Sequence, residues 1–114
     1  MFRMVIALCA GVMLAAGCAG SARAEDPLEV RLTIRDHRFE PAEVTVPPNR
    51  EVTLIVTNAD ATPEEFESVG LRVERVIPAG QTATFRLRTL LPNRNYEFFG
   101  EFHQDTARGR LIVK

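Results

Sequence analysis

Apolar and polar residues take turns in short bursts along this chain, and that rhythm limits the folds open to it. In LEVRLTI, Leu28, Val30, Leu32 and Ile34 share one face, while Glu29, Arg31 and Thr33 share the other. Successive side chains of a β-strand point to opposite faces, so a period of two marks a half-buried strand. EVTLIVT at 51–57 repeats the pattern with Val52, Leu54 and Val56 inward, and TATFRLR at 82–88 repeats it with Ala83, Phe85 and Leu87. EVTV at 43–46, LRVERVI at 71–77, YEFFGEF at 96–102 and RLIVK at 110–114 read as further strands. PPNR, NADATPEE, PAG and LPNRN separate them with residues that turn the chain or interrupt a ladder. No stretch of useful length carries the period of a helix. Short strands at fairly regular spacing predict one all-β domain, an antiparallel sandwich.

The first residues follow different rules. MFRMVIALCAGVMLAAGC has one basic residue, Arg3, and then runs apolar to Gly17. A short basic head and an apolar middle describe a secretory signal, and the run is too short for a stable membrane span. Two processing sites compete. SARA offers the small-x-small pattern of a signal peptidase at Ala22 and Ala24, and LAAGC resembles a bacterial lipobox with Cys18 as the lipidated residue. The expectation is a signal peptide over 1–24 and a domain over 25–114, with lipid anchoring through Cys18 as the alternative. Either route takes the domain out of the cytoplasm, to the periplasm.

That division removes both cysteines, Cys9 and Cys18, and all three methionines, Met1, Met4 and Met13, from the domain. No disulfide framework, disulfide-linked partner or cysteine nucleophile is then expected. Metal ligands are limited to carboxylates and the two histidines, His37 and His103. The domain keeps 12 basic and 15 acidic residues. Such a mildly acidic balance, with no basic groove, argues against nucleic acid or an anionic membrane as a partner. No serine sits in a glycine elbow and no glycine-rich phosphate loop occurs, so neither a nucleophilic triad nor a nucleotide site is expected.

Four stretches together resemble the cupredoxin fold: DHRFEP at 36–41, NADATPEEFES at 58–68, VERVIPAG at 73–80, and YEFFGEFHQDTARGRLIVK at 96–114. More narrowly, they resemble the EfeO-type cupredoxin-like domains of bacterial periplasmic iron uptake. The resemblance implies a Greek-key β-sandwich of about seven to eight strands. Blue-copper members of the fold carry a cysteine near the position of Gly100, a histidine at that of His103, and a methionine a few places on. They carry another histidine where this chain has Glu64 and Glu65. Here only His103 is kept, and without a thiolate a blue-copper centre cannot form.

What remains is a set of oxygen and nitrogen donors: Glu64, Glu65, Glu101, His103 and His37. Alternation puts Glu65 and Glu67 on one side of a strand with Phe66 opposite. Glu101 and His103 would share a face if their segment were extended. Glu65 and His103 are the leading candidates; Glu64 and Glu101 read rather as solvated carboxylates, and His37 as a surface residue or second-site ligand. Imidazole with carboxylate suits copper or iron. The resemblance implies a role beside an inner-membrane iron permease and other periplasmic iron-uptake proteins, with iron oxidation or electron transfer as a further expectation. The competing reading is a non-metal interaction module that docks to the permease complex.

Overall fold

The computed structural model describes residues 26–114; the signal segment and its two cysteines lie outside the described residues. Nine strands form two sheets among them. One sheet contains β1 (Leu28–Arg35), β2 (Arg38–Glu40), β4 (Val52–Asn58) and β7 (Thr82–Leu87), in the order β2-β1-β4-β7. The other contains β3 (Glu43–Val46), β5 (Glu64–Ser68), β6 (Val73–Ile77), β8 (Arg94–Gly100) and β9 (Arg108–Val113), in the order β3-β9-β8-β5-β6. A single 3-10 turn, Glu101–His103, leads out of β8.

The alternation expected from the sequence is present. Val30, Leu32 and Ile34, then Val52, Leu54 and Val56, then Ala83, Phe85 and Leu87 are all buried between the sheets. Two details differ. β1 pairs with β4 and β3 with β9 in parallel, so the sandwich is mixed rather than purely antiparallel. The chain passes from one sheet to the other after β2, and a strand that returns by such a crossover can lie parallel to its neighbour. The second detail is the pair of strands β2 and β5, both short. β2 has only three residues, and the glutamates of β5 interrupt its apolar signal.

Four phenylalanines from four strands tie the sheets together beneath one pole. Phe66 lies 5.3 Å from Phe85 and 5.5 Å from Phe98, and Phe39 meets Phe98 edge-on at 4.9 Å between ring centroids. Edge-to-face and offset contacts at these separations suit the ring quadrupoles. This cluster is the floor on which the polar groups described next are set.

Candidate metal centre

His37 occupies the two-residue loop that turns β1 into β2. Asp36 and His37 have φ values of 51° and 56°, both left-handed. Tight hairpins favour this conformation because it matches strand twist, but each non-glycine residue in it costs about 1–2 kcal/mol. The carboxylate of Asp60 compensates. It accepts the backbone N–H of Asp36 at 2.8 Å and that of His37 at 3.0 Å. Asp60 is fixed in turn by Asn58, whose Oδ1 accepts the Asp60 N–H at 3.0 Å and whose Nδ2 donates to the carbonyls of Thr62 and Ile77. From the other side, Thr106 Oγ1 donates to the His37 carbonyl at 2.6 Å.

His103 closes the 3-10 turn after β8. Its ring stacks on that of His37, with centroids 3.5 Å apart and planes 13° from parallel. Glu64, at the start of β5, reaches both segments. It is 1 % exposed, and its carboxylate is fully engaged. Oε1 accepts the Phe102 N–H at 2.9 Å and the Glu65 N–H at 3.2 Å, while Oε2 accepts from His103 Nδ1. A buried carboxylate is tolerated only with such partners. With Nδ1 held by the carboxylate, the other ring nitrogen, Nε2, is the one left to bind an ion.

Gly100 explains why no side chain stands beside Glu64. A Cβ built at Gly100 would lie 2.6 Å from Glu64 Cδ, 2.7 Å from its Oε1 and 2.8 Å from Ala107 Cβ. The buried carboxylate and any side chain at position 100 are therefore mutually exclusive without local rearrangement.

The five candidates thus separate. His37, His103 and Glu64 converge at one pole. Glu64 is not a solvated loop carboxylate and His37 is not a free surface residue, because both are packed into this junction. Glu64 shares the strand parity of Phe66, which takes it inward; that signal was present in the sequence. Glu65 has the opposite parity and points to the outer face of β5. There it meets Glu67 and Glu74 rather than His103, the three offering oxygens within 4.8 Å of one another. Glu101 and His103 do not share a face, since their segment is helical rather than extended. Glu101 adds its charge to Glu65 and Glu67 instead.

The crowding on the outer face alters proton affinity. The Glu65 pKa is raised, first by its hydrogen bond with Glu74 and then by desolvation and the surrounding charges. The Glu67 pKa is raised mainly by desolvation, with Glu74 and Glu101 adding to it. Glu67 lies directly opposite Glu74 across the β5–β6 pair. The cross-strand arginine pairs available to these glutamates are not made among the described residues. Arg75 lies 4.9 Å above the Phe85 ring instead.

The model for the cupredoxin-like domain matches residues 6–113, nearly the whole chain. The chain belongs to the cupredoxin-like domain family. An uncharacterized protein of Rickettsia prowazekii (strain Madrid E) is 48% identical over 86 residues, covering 75% of this chain and 68% of that protein. Among solved structures, this cupredoxin-like protein is similar to the metal-binding domain, with Cu(I), of the Cu(I)-exporting P-type ATPase CopA of Streptococcus pneumoniae. The TM-score is 0.68 at 14% identity, over 79% of this chain and 89% of that one. A reduced amicyanin variant matches with a TM-score of 0.59 at 21% identity, over 75% and 82% of the two chains. At these identities the likeness is one of fold.

The donor set suits an ion that takes imidazole. Two imidazoles lie stacked at one pole, with their lone pairs in near-parallel planes, so a shared ion requires one ring to turn; one ring is oriented by a buried carboxylate, and residues 26–114 hold neither cysteine nor methionine. Imidazole accommodates copper, iron and zinc, and a carboxylate behind a histidine sharpens the ring's orientation and basicity.

Proposed function

We propose that this cupredoxin-like protein is a periplasmic copper- or iron-binding protein that assists ferrous iron uptake, with His37 and His103 as its ligands. One observation carries the reading: two stacked imidazoles, 3.5 Å apart, one held through Nδ1 by a buried glutamate. A surface histidine pair with no function would not need a carboxylate buried at a cost in desolvation, nor a left-handed turn braced from two sides. Glu64 acts as a positioning residue, since its oxygens are engaged with Phe102, Glu65 and His103. The copper-bearing structural neighbours support copper, and the EfeO-type resemblance supports a task beside an inner-membrane iron permease.

A bound copper would supply one-electron exchange with ferrous iron. The protein's own part is to orient the His103 ring through Glu64 and to brace the turn that carries His37, above the phenylalanine cluster. Calorimetric titration with cupric and ferrous ions tests the proposal. The wild type should bind one of them, and His37→Ala and His103→Ala should each abolish it. Oxygen consumption with ferrous iron, with and without copper, then separates an oxidase from a carrier. Absence of any binding by the wild type would sink the metal reading and leave the docking module.

A further inference from the structure

At the pole opposite the histidines, a cleft of about 280 Å³ lies between two braced turns. One wall is the connection that follows β5. Ser68 Oγ donates to the Glu97 carbonyl at 2.6 Å and accepts the Leu71 N–H, and the Arg72 N–H donates to the Val69 carbonyl. The other wall is the loop between β7 and β8. Leu90 is buried in the core, its carbonyl accepts the Asn49 N–H, and the Asn93 N–H donates to the Val113 carbonyl. The Tyr96 ring spans the two walls. A Cβ at Gly70 would meet its Cδ1 at 3.1 Å, and its hydroxyl accepts the Leu91 N–H at 3.0 Å. A phenol both accepts and donates, and among the described residues the Tyr96 proton has no acceptor.

Arg72, Arg88 and Arg94 line the cleft, and no carboxylate does. Carboxylates stand in neighbouring hollows: Glu67 and Glu74 in one that shares Arg72, Glu97 in another that shares Gly70 and Tyr96. Arg88 and Arg94 line neither of these. Lack of an ion-pair partner is not peculiar to the cleft, since Arg38 and Arg86, on the outer face of the four-stranded sheet, have none among the described residues either. What sets the cleft apart is its concavity: two guanidinium groups, a phenol with a proton to give and the leucine surfaces of Leu71 and Leu91 face one space.

We propose that this cleft binds a small organic polycarboxylate. Arg88 and Arg94 each receive a carboxylate, Arg72 adds charge at the rim, and the Tyr96 hydroxyl donates to one of the bound oxygens. The carbon skeleton lies on Leu71 and Leu91. Guanidinium forks match the geometry of a carboxylate, and a cleft of this size stands at the lower end of the range for small-molecule sites. Two cations at the two ends of one loop, with Leu90 and Leu91 between them, favour a carbon chain with separated carboxylates over one compact phosphate. The inference does not depend on which ion His37 and His103 hold.

Calorimetric titration of the full chain, stripped of metal on a chelating resin, tests it. Tricarballylate, a tricarboxylate, should bind saturably at low salt, glutarate more weakly, and acetate not at all. Arg88→Gln and Arg94→Gln should each weaken tricarballylate binding about tenfold or more, through the lost hydrogen bonds to a charged group. Arg72→Gln should weaken it less, because Glu67 and Glu74 share its surroundings. Arg38→Gln and Arg86→Gln remove the same charge from an open sheet face and should leave the affinity within about twofold of the wild type. In isotope-labelled wild type, the Leu91 amide resonance should move during the titration, because its acceptor is the hydroxyl that meets the ligand, while the amides of His37 and His103 stay in place. Melting followed by circular dichroism checks that each variant is folded, and the Leu91 resonance of the wild type carries the test should a variant unfold. Absence of saturable tricarballylate binding would overturn the proposal. So would an equal loss in the sheet-face variants, which would reduce the effect to net charge. Inorganic phosphate bound as tightly as tricarballylate would overturn it in favour of a compact anion.

Discussion

Gly100→Ala is the most informative single change. The new methyl would lie 2.6 Å from Glu64 Cδ and 2.8 Å from Ala107 Cβ, inside the separations that folded proteins show. Ala107 is fully buried and Glu64 nearly so, which leaves little room for either to retreat. Overpacking of this kind costs about 1–3 kcal/mol. Displacing the carboxylate also releases the Phe102 N–H and His103 Nδ1, and a hydrogen bond to a charged group contributes about 1.5–3 kcal/mol. A total near 3–5 kcal/mol is therefore expected, within the 5–15 kcal/mol available to a small domain. For a domain of this size the melting temperature should fall by more than about 10 °C. The mechanism is tested by a double-mutant cycle with Glu64→Ala, read by urea denaturation at neutral pH. If Gly100 is glycine because the carboxylate fills the space, Gly100→Ala should cost at least about 1 kcal/mol less in the Glu64→Ala background, the remainder being the Ala107 contact. Additivity within about 0.5 kcal/mol would refute the argument, because it would mean the two groups do not compete for one volume.

Three further outcomes follow from the same geometry. Glu64→Gln, which keeps the shape and loses the charge, should weaken binding of the ion at His37 and His103 by about 10–100-fold in a calorimetric titration. Asp60→Ala should destabilise the fold by about 1–3 kcal/mol through the two orphaned N–H groups of the β1–β2 turn, and Asp36→Gly should recover about 0.5–1 kcal/mol of that in denaturant melts. On the outer face, folding raises the pKa values of Glu65 and Glu67, so their contribution to stability is fully present below the ordinary carboxylate value of 4.5 and is lost as pH rises through the raised values. Glu74→Gln should accordingly raise the melting temperature at neutral pH and leave it nearly unchanged at about pH 3, where Glu65 and Glu67 hold protons in both states.

The sandwich was legible because most of its strands are long enough to state a period. β4 alternates over seven residues and β7 over six, and their inward faces follow directly. The three-residue β2 cannot state one. The site was legible as a list of residue types rather than as an arrangement. Glu64 and Glu65 differ by one position, and one position on a strand is the whole difference between the interior and solvent. Phe66 fixes that parity, yet an inward-facing glutamate is rare enough that the apolar pattern argues against it. His37 was hidden for another reason: Asp-His is not a usual occupant of a two-residue hairpin, and its left-handed backbone depends on Asp60, more than twenty residues away. The helical turn at Glu101–His103 carries no helix signal that three residues could express.

Both halves of the histidine pair are anchored from outside their own segments. Asp60 and Thr106 brace the His37 hairpin, while the Glu64 carboxylate pins His103 Nδ1 and the Phe102 N–H. Thr106 belongs to the same connection as His103, whose carbonyl accepts the N–H groups of Thr106 and Ala107. The segment that carries one ring therefore also steadies the other, and any displacement of residues 101–106 would disturb both imidazoles together.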